Sequence, residues 1–186
     1  MQHHKKNTLL LRFQEDHALL GAGFHQLSQC LRGQDVDGAR AIARRLDESA
    51  GAHIAFEEEE FYPCLVPLVG AEEVRRMCGT HRSGLRVIRT LGASDRGEPL
   101  DQETCTRLLR RSEQMEDHIA DCGELFATMG RIPVEQQQDL HDRLLQWRQR
   151  RPKWTDYAEM KRNARSKVRH ARYGHQGKRS AGFQDG

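Results

Sequence analysis

The stretch HIAFEEEEFYP, residues 53–63, sets a histidine four residues before a glutamate. On a helix that spacing places both side chains on one face, a turn apart, so His53 and Glu57 can reach the same point. The apolar residues Ile42, Leu46, Ala50 and Phe61 recur at helical intervals, and His53 and Glu57 interrupt their stripe. A helix capped by Asp35 or Asp37 and closed near Pro63 therefore carries an imidazole and a carboxylate on its core side. Four consecutive glutamates ordinarily mark a solvated face, a description that suits Glu59 best. Glu60, seven residues after His53, returns to nearly the same angle about 10 Å further along the axis. It is a candidate rim or supporting carboxylate.

Three further segments show the same interruption. Between Asn7 and Gly33, Leu10, Phe13, Leu20, Phe24, Leu27 and Leu31 fall at spacings of a helical stripe, with His17 in the missing place. From about Ala71 to Leu91, Val74, Met77, Leu85, Ile88 and Leu91 run in step around His81, with Gly92 as the C-cap. After Pro99, read as a first-turn residue, Leu108, Met115, Cys122, Leu125 and Met129 share a face with His118 until Gly130. One histidine on an apolar face is ordinarily a hydrogen-bonded core residue. Four of them, one per stripe, would be costly to bury with a carboxylate, and a shared cation satisfies them together. Imidazoles with carboxylates suit iron, manganese or zinc, and the lack of a cysteine cage argues against a structural zinc site. Of the other histidines, His3 and His4 sit in a polar terminus, His170 and His175 in a basic tail, and His141 on a fifth, shorter helix. His25, two turns beyond His17, is a candidate supporting residue.

Short connections rich in Gly, Pro and Asp between long helices make neighbours antiparallel. The predicted fold is all-α: an antiparallel up-down-up-down four-helix bundle with an additional short C-terminal helix. Pro133 opens that helix, and Leu140, Leu144 and Trp147 form its apolar edge. A basic tail follows, helical or disordered. Residues 148–186 hold 12 of the 30 Lys and Arg but 3 of the 27 Asp and Glu, which leaves 18 basic against 24 acidic residues before them. The expected division is a metal-binding bundle over residues 1–151 and a basic extension over residues 152–186. The longest apolar run, LVPLVGA at 65–71, is broken by Pro67, and residues 1–8 are polar, so neither a transmembrane helix nor a secretory signal is expected. Five cysteines without a CxxC are read as reduced thiols, and the expected address is cytoplasmic.

One histidine on each of four helices, with HxxxE on the second inside HIAFEEEEFYP, resembles the hemerythrin-like family, also called the HHE cation-binding domain, over about residues 8–148. The stretch is similar to that family's H-I-x-x-E-E-x-x-L-Y-P signature. The resemblance implies a non-heme iron centre inside the bundle, commonly dinuclear and carboxylate-bridged, with His17, His53, Glu57, His81 and His118 as ligands. A single iron, manganese or zinc stays open. Hemerythrins proper carry another histidine four residues before the position of His81, where this chain has Met77. The family's fourth helix follows its histidine with a bridging carboxylate four or five residues on, where Cys122 and Gly123 stand. Three arrangements follow: an iron pair supported by Asp121, a site ligated by Cys122, or a single metal. Glu124 points away in a regular helix.

The functions this implies fall in different classes. The first is binding or sensing of oxygen, nitric oxide or iron. The second is a redox enzyme acting on peroxide or nitric oxide, or assisting iron-sulfur cluster repair. With no dinucleotide fingerprint in the sequence, repeated turnover needs an external electron donor. The third is a metal-regulated binder of nucleic acid or another acidic surface, through basic residues interleaved with Trp154, Tyr157 and Tyr173. The oligomeric state is left open.

Overall fold

The computed structural model describes residues 8–93, 97 and 99–174; the side chains of residues 8, 122–124, 126–128 and 168–174 lie outside that description. The regular elements among these residues are all helical. They are α1 (Thr8–Arg32), α2 (Val36–Phe56), a π-helical segment (Glu57–Phe61), α3 (Tyr62–Val69), α4 (Ala71–Ala93), α5 (Gln102–Met129), α6 (Val134–Arg150) and α7 (Trp154–Gly174). None of the described helices is long and apolar enough to cross a membrane.

The four long helices close a ring: α1 packs on α2 and α5, and α4 packs on the same two. Their stripes meet in a core that includes Phe13, Phe24, Leu27, Ile54, Phe56 and Leu108, each at most 2% exposed. Asp35 caps α2, its Oδ1 accepting the Gly38 N–H at 2.9 Å. That accounts for one of the four orphan donors at a helix start.

Three boundaries differ from those the sequence predicts. The second helix does not close at Pro63 but carries on to Val69. Proline lacks an N–H, and inside a helix its ring collides with the carbonyl four residues back. Here the turn before it is widened: the Tyr62 N–H bonds the Glu57 carbonyl, five residues back, and Pro63 takes a first-turn place in α3. No existing bond has to break for it. Gly70, at φ 87°, ends α3. At the start of α5, Asp101 is the cap and Pro99 lies outside the helix; Asp101 Oδ1 accepts the Thr104 N–H at 2.7 Å. Gly92 lies within α4 rather than capping it.

The α6 edge formed by Leu140, Leu144 and Trp147 is buried, and α6 packs on α1 and α2. Arg151, at φ 45°, turns the chain into α7. Trp154 and Tyr157 are each 2% exposed, so they face the protein and not a nucleic acid. The Trp154 ring meets Phe24 edge-on at 6.3 Å, and its far edge fills the space that a side chain at Gly84 would need. The backbone of residues 152–154 passes directly over Gly51 of α2, where a Cβ would collide with the Pro152 carbonyl oxygen. Gly51→Ala is therefore expected to lower stability by about 1–3 kcal/mol, because backbone has to shift. Gly92→Ala, with nothing within 4 Å of the new Cβ, should be neutral or stabilising by up to about 1 kcal/mol. Thermal unfolding of the two variants checks both; equal melting temperatures would contradict the close crossing.

Candidate metal centre

The bundle delivers one histidine from each long helix to one place. His17 comes from α1, His53 from α2, His81 from α4 and His118 from α5, each at most 7% exposed. Glu57, the first residue of the π-helical segment, is 1% exposed and lies between them. Its Oε1 is 3.7 Å from His17 Nε2 and 3.3 Å from His53 Nε2, while its Oε2 is 3.1 Å from His81 Nε2. His118 Nε2 lies 3.1 Å from His81 Nε2. Two groups result, His17/His53/Glu57 and Glu57/His81/His118, each with ligand atoms within 4.8 Å of one another. One carboxylate belongs to both.

Three imidazoles are aimed by bonds on their outer nitrogens. His17 Nδ1 meets the Phe13 carbonyl at 2.9 Å, His53 Nδ1 meets Asp16 Oδ2 at 3.2 Å, and His81 Nδ1 meets Glu58 Oε1 at 3.1 Å. With Nδ1–H donating outward, each Nε2 faces the centre, the usual arrangement behind a metal-binding imidazole. The two carboxylates are held in turn by cations of the C-terminal helices. Arg148 of α6 grips Asp16 at 2.5 Å, and Lys161 of α7 grips Glu58 at 2.6 Å, with the Tyr157 hydroxyl between Glu58 at 3.2 Å and Glu59 at 2.7 Å.

The widened turn also recruits a phenol. In a regular α-helix, residues five apart point about 140° from each other. The inserted residue swings Tyr62 back to the side of Glu57, and its hydroxyl lies 3.2 Å from His81 Nε2 and 3.4 Å from His118 Nε2. π-turns inside α-helices recur at functional sites for this reason.

Burial opposes charge on all four imidazoles, and their surroundings split them into two kinds. For His53 the carboxylates of Glu57 and Asp16 overcome burial and raise the pKa to about 9. His81 is raised in the same way by Glu57 and Glu58. His17 and His118 are lowered to about 4, first by burial and then by the charge on His53 and His81 respectively. Glu57 is buried, yet those two histidines hold it well below the carboxylate range. Without a cation, then, an anionic Glu57 sits between two imidazoliums, flanked by two neutral rings.

That arrangement leaves polar atoms unsatisfied. His53 Nε2 and Glu57 Oε1 are buried and face each other at 3.3 Å as an ion pair, but neither atom has an aligned hydrogen bond. A buried polar atom in that state costs about 1–3 kcal/mol, and a cation bound between them satisfies both. The donor set therefore fits a metal. An entering cation must displace the Nε2 protons of His53 and His81, so affinity should climb as pH rises towards about 9, the pKa of His53. Proton release on titrating the metal-free chain with metal near neutral pH checks this. An affinity independent of pH would contradict it.

The other sequence candidates lie elsewhere. Glu60 pairs with Arg143 at 2.9 Å, and His25 is exposed, bonded to Glu116 and Gln29; neither reaches the four histidines. Asp121 is exposed and lines an open groove that His118 also borders, but it belongs to neither group of ligands. The Cys122 and Glu124 side chains lie outside the described residues. Met77, in the place of a further histidine, is 1% exposed. Sequence reasoning overlooked Asp16, Glu58 and Tyr62. Asp16 stands directly before His17, while Glu58 and Tyr62 lie inside the quoted stretch; Glu58 belongs to a glutamate run that reads as a solvated face, and a regular helix turns Tyr62 away from Glu57.

With this geometry in place, one comparison decides the family: the model of the hemerythrin HHE cation-binding domain matches residues 8–129. The chain belongs to that family. No curated protein and no solved structure matches it. In this hemerythrin-like chain all five residues of the two groups fall within the matched span. Arg148 and Lys161, which hold the outer carboxylates, come from beyond it.

Proposed function

We propose that the chain holds non-heme iron as two ions sharing the Glu57 carboxylate, and that this centre binds or senses a diatomic gas, oxygen or nitric oxide. The observation that carries the reading is that two histidine pairs from four helices face the two oxygens of one buried carboxylate. In this reading His17 and His53 hold one ion, His81 and His118 the other, and Glu57 both. Iron bound there supplies redox activity and coordination positions for a small ligand. Asp121 or Cys122 is proposed for a remaining donor beside His118.

The chain's own residues shape what such a centre meets. Phe13 lies with its ring tilted at 4.4 Å from His17 and 4.9 Å from His53, and with Phe56 and Phe61 it walls that half from water. On the other half, Tyr62 holds a proton at its hydroxyl oxygen next to His81 and His118. Asp16 and Glu58 hold the His53 and His81 rings in one orientation. The same reading takes the four long helices as up-down-up-down, supported by residues 33–35 joining α1 to α2 and Gly70 alone joining α3 to α4. It also places the chain in the cytoplasm, in keeping with free thiols at Cys30, Cys64, Cys78 and Cys105.

The test uses the full chain loaded with ferrous iron without oxygen and then exposed to oxygen or nitric oxide. A saturable change of spectrum, absent in His81→Ala, is the expected result. No response to either gas would overturn the reading. Multiple-turnover consumption of peroxide by the wild type but not by His53→Ala would replace it with the enzymatic one.

A further inference from the structure

Beside the candidate metal centre, α4 and α7 border a half-open cleft of about 340 Å³ that the proposed function does not use. Arg82, Arg86 and Arg89 reach it from α4, and Lys161, Arg162 and Arg165 reach it from α7. On α4 the spacing of four and then three residues sets all three guanidiniums on one face. Among the described residues none of these five guanidiniums forms an ion pair with a carboxylate; the one carboxylate in the wall, Glu58, is already engaged by His81, Lys161 and Tyr157. Converging like charges on a small concavity raises the free energy of the empty cleft, and an anion relieves it.

We infer that this cleft binds a small polyanion carrying phosphate groups. Guanidiniums offer paired N–H donors that match phosphate oxygens, and five of them from two helices can surround more than one phosphate. The volume lies at the small end of the range for metabolite sites, about 300–1,000 Å³, which suits a compact ligand rather than a polymer. Leu85, Trp154 and Ala158 add an apolar part to the wall, so an organic phosphate with a ring or alkyl portion gains contacts that an inorganic one lacks. Because Glu58 and His81 also border the cavity, an anion there competes with Glu58 for Lys161, and so touches the support of a histidine of the candidate centre.

The experiment is calorimetric titration of the full chain with pyrophosphate, with a nucleoside diphosphate and with a single-stranded oligonucleotide. Saturable binding of one diphosphate per chain is expected, weakened about tenfold or more in the double variant Arg86→Gln, Arg165→Gln. The double variant Arg110→Gln, Arg111→Gln removes the same charge from a face lined by α5 alone, and should bind as the wild type does. A nucleoside diphosphate tighter than pyrophosphate identifies an organic ligand, and equal affinities identify the phosphates themselves; both support the site. Absence of saturable binding overturns it, as does equal weakening in the two double variants. Oligonucleotide binding more than about tenfold tighter than either diphosphate also overturns it, in favour of nucleic acid. Metal content measured on the same variants should stay at the wild-type value, so failure of this site is distinguishable from failure of the iron reading.

Discussion

Glu57→Gln empties both halves of the centre at once. Glutamine keeps the shape of glutamate and removes its charge, so the helix and the π-helical turn have no steric reason to change. Glu57 is the one residue common to both ligand groups, and its two oxygens face different histidine pairs. Loss of an outer partner of a metal ligand typically lowers metal affinity 10–100-fold; loss of a shared direct donor should exceed about a hundredfold for each ion. The metal-free chain is affected as well. His53 and His81 lose the anion that raises their pKa values, and breaking a buried charge pair from one side costs about 3–5 kcal/mol unless the rings give up their protons. Elemental analysis of the loaded variant and thermal unfolding of the metal-free one read the two effects separately. Wild-type metal content in Glu57→Gln would contradict the shared-carboxylate arrangement.

Trp154→Ala is expected to cost about 3–5 kcal/mol, the usual penalty for deleting a buried large aromatic. Trp154 is among the largest fully buried side chains, meeting Phe24 of α1 and filling the hollow at Gly84 of α4. Its loss should also loosen the start of α7, and with it the grip of Tyr157 and Lys161 on Glu58. Metal affinity should then fall by about 10–100-fold although no ligand is changed. Met160, on the same helix but 52% exposed, gives the comparison: Met160→Ala should stay within about 0.5 kcal/mol of wild type. Similar unfolding curves for the two variants would show that α7 is not part of the core.

The stripes of the long helices could be read directly because each buried face repeats at the helical period and each histidine breaks it at one point. His17, His53, Glu57, His81 and His118 converge because those breaks lie well inside their helices. What could not be read depends on one local departure from α-helical geometry. The extra residue in the Glu57–Phe61 turn carries the helix past Pro63 and brings Tyr62 round to the histidines. A fixed helical period assigns Tyr62 to another face. The C-terminal segment was legible in part. A helical or disordered tail is expected there and a helix, α7, forms, but its charge does not reveal that Trp154 and Tyr157 are core residues or that Lys161 is occupied with Glu58 and Glu59. Composition reports the charge of a segment but not what lies opposite it.

Anomalous diffraction at the iron absorption edge, from crystals of the full chain loaded with iron, tests the central claim most directly. Two peaks are predicted for each chain, one among His17, His53 and Glu57 and the other among Glu57, His81 and His118. A single peak, or iron bound away from Glu57, would contradict it.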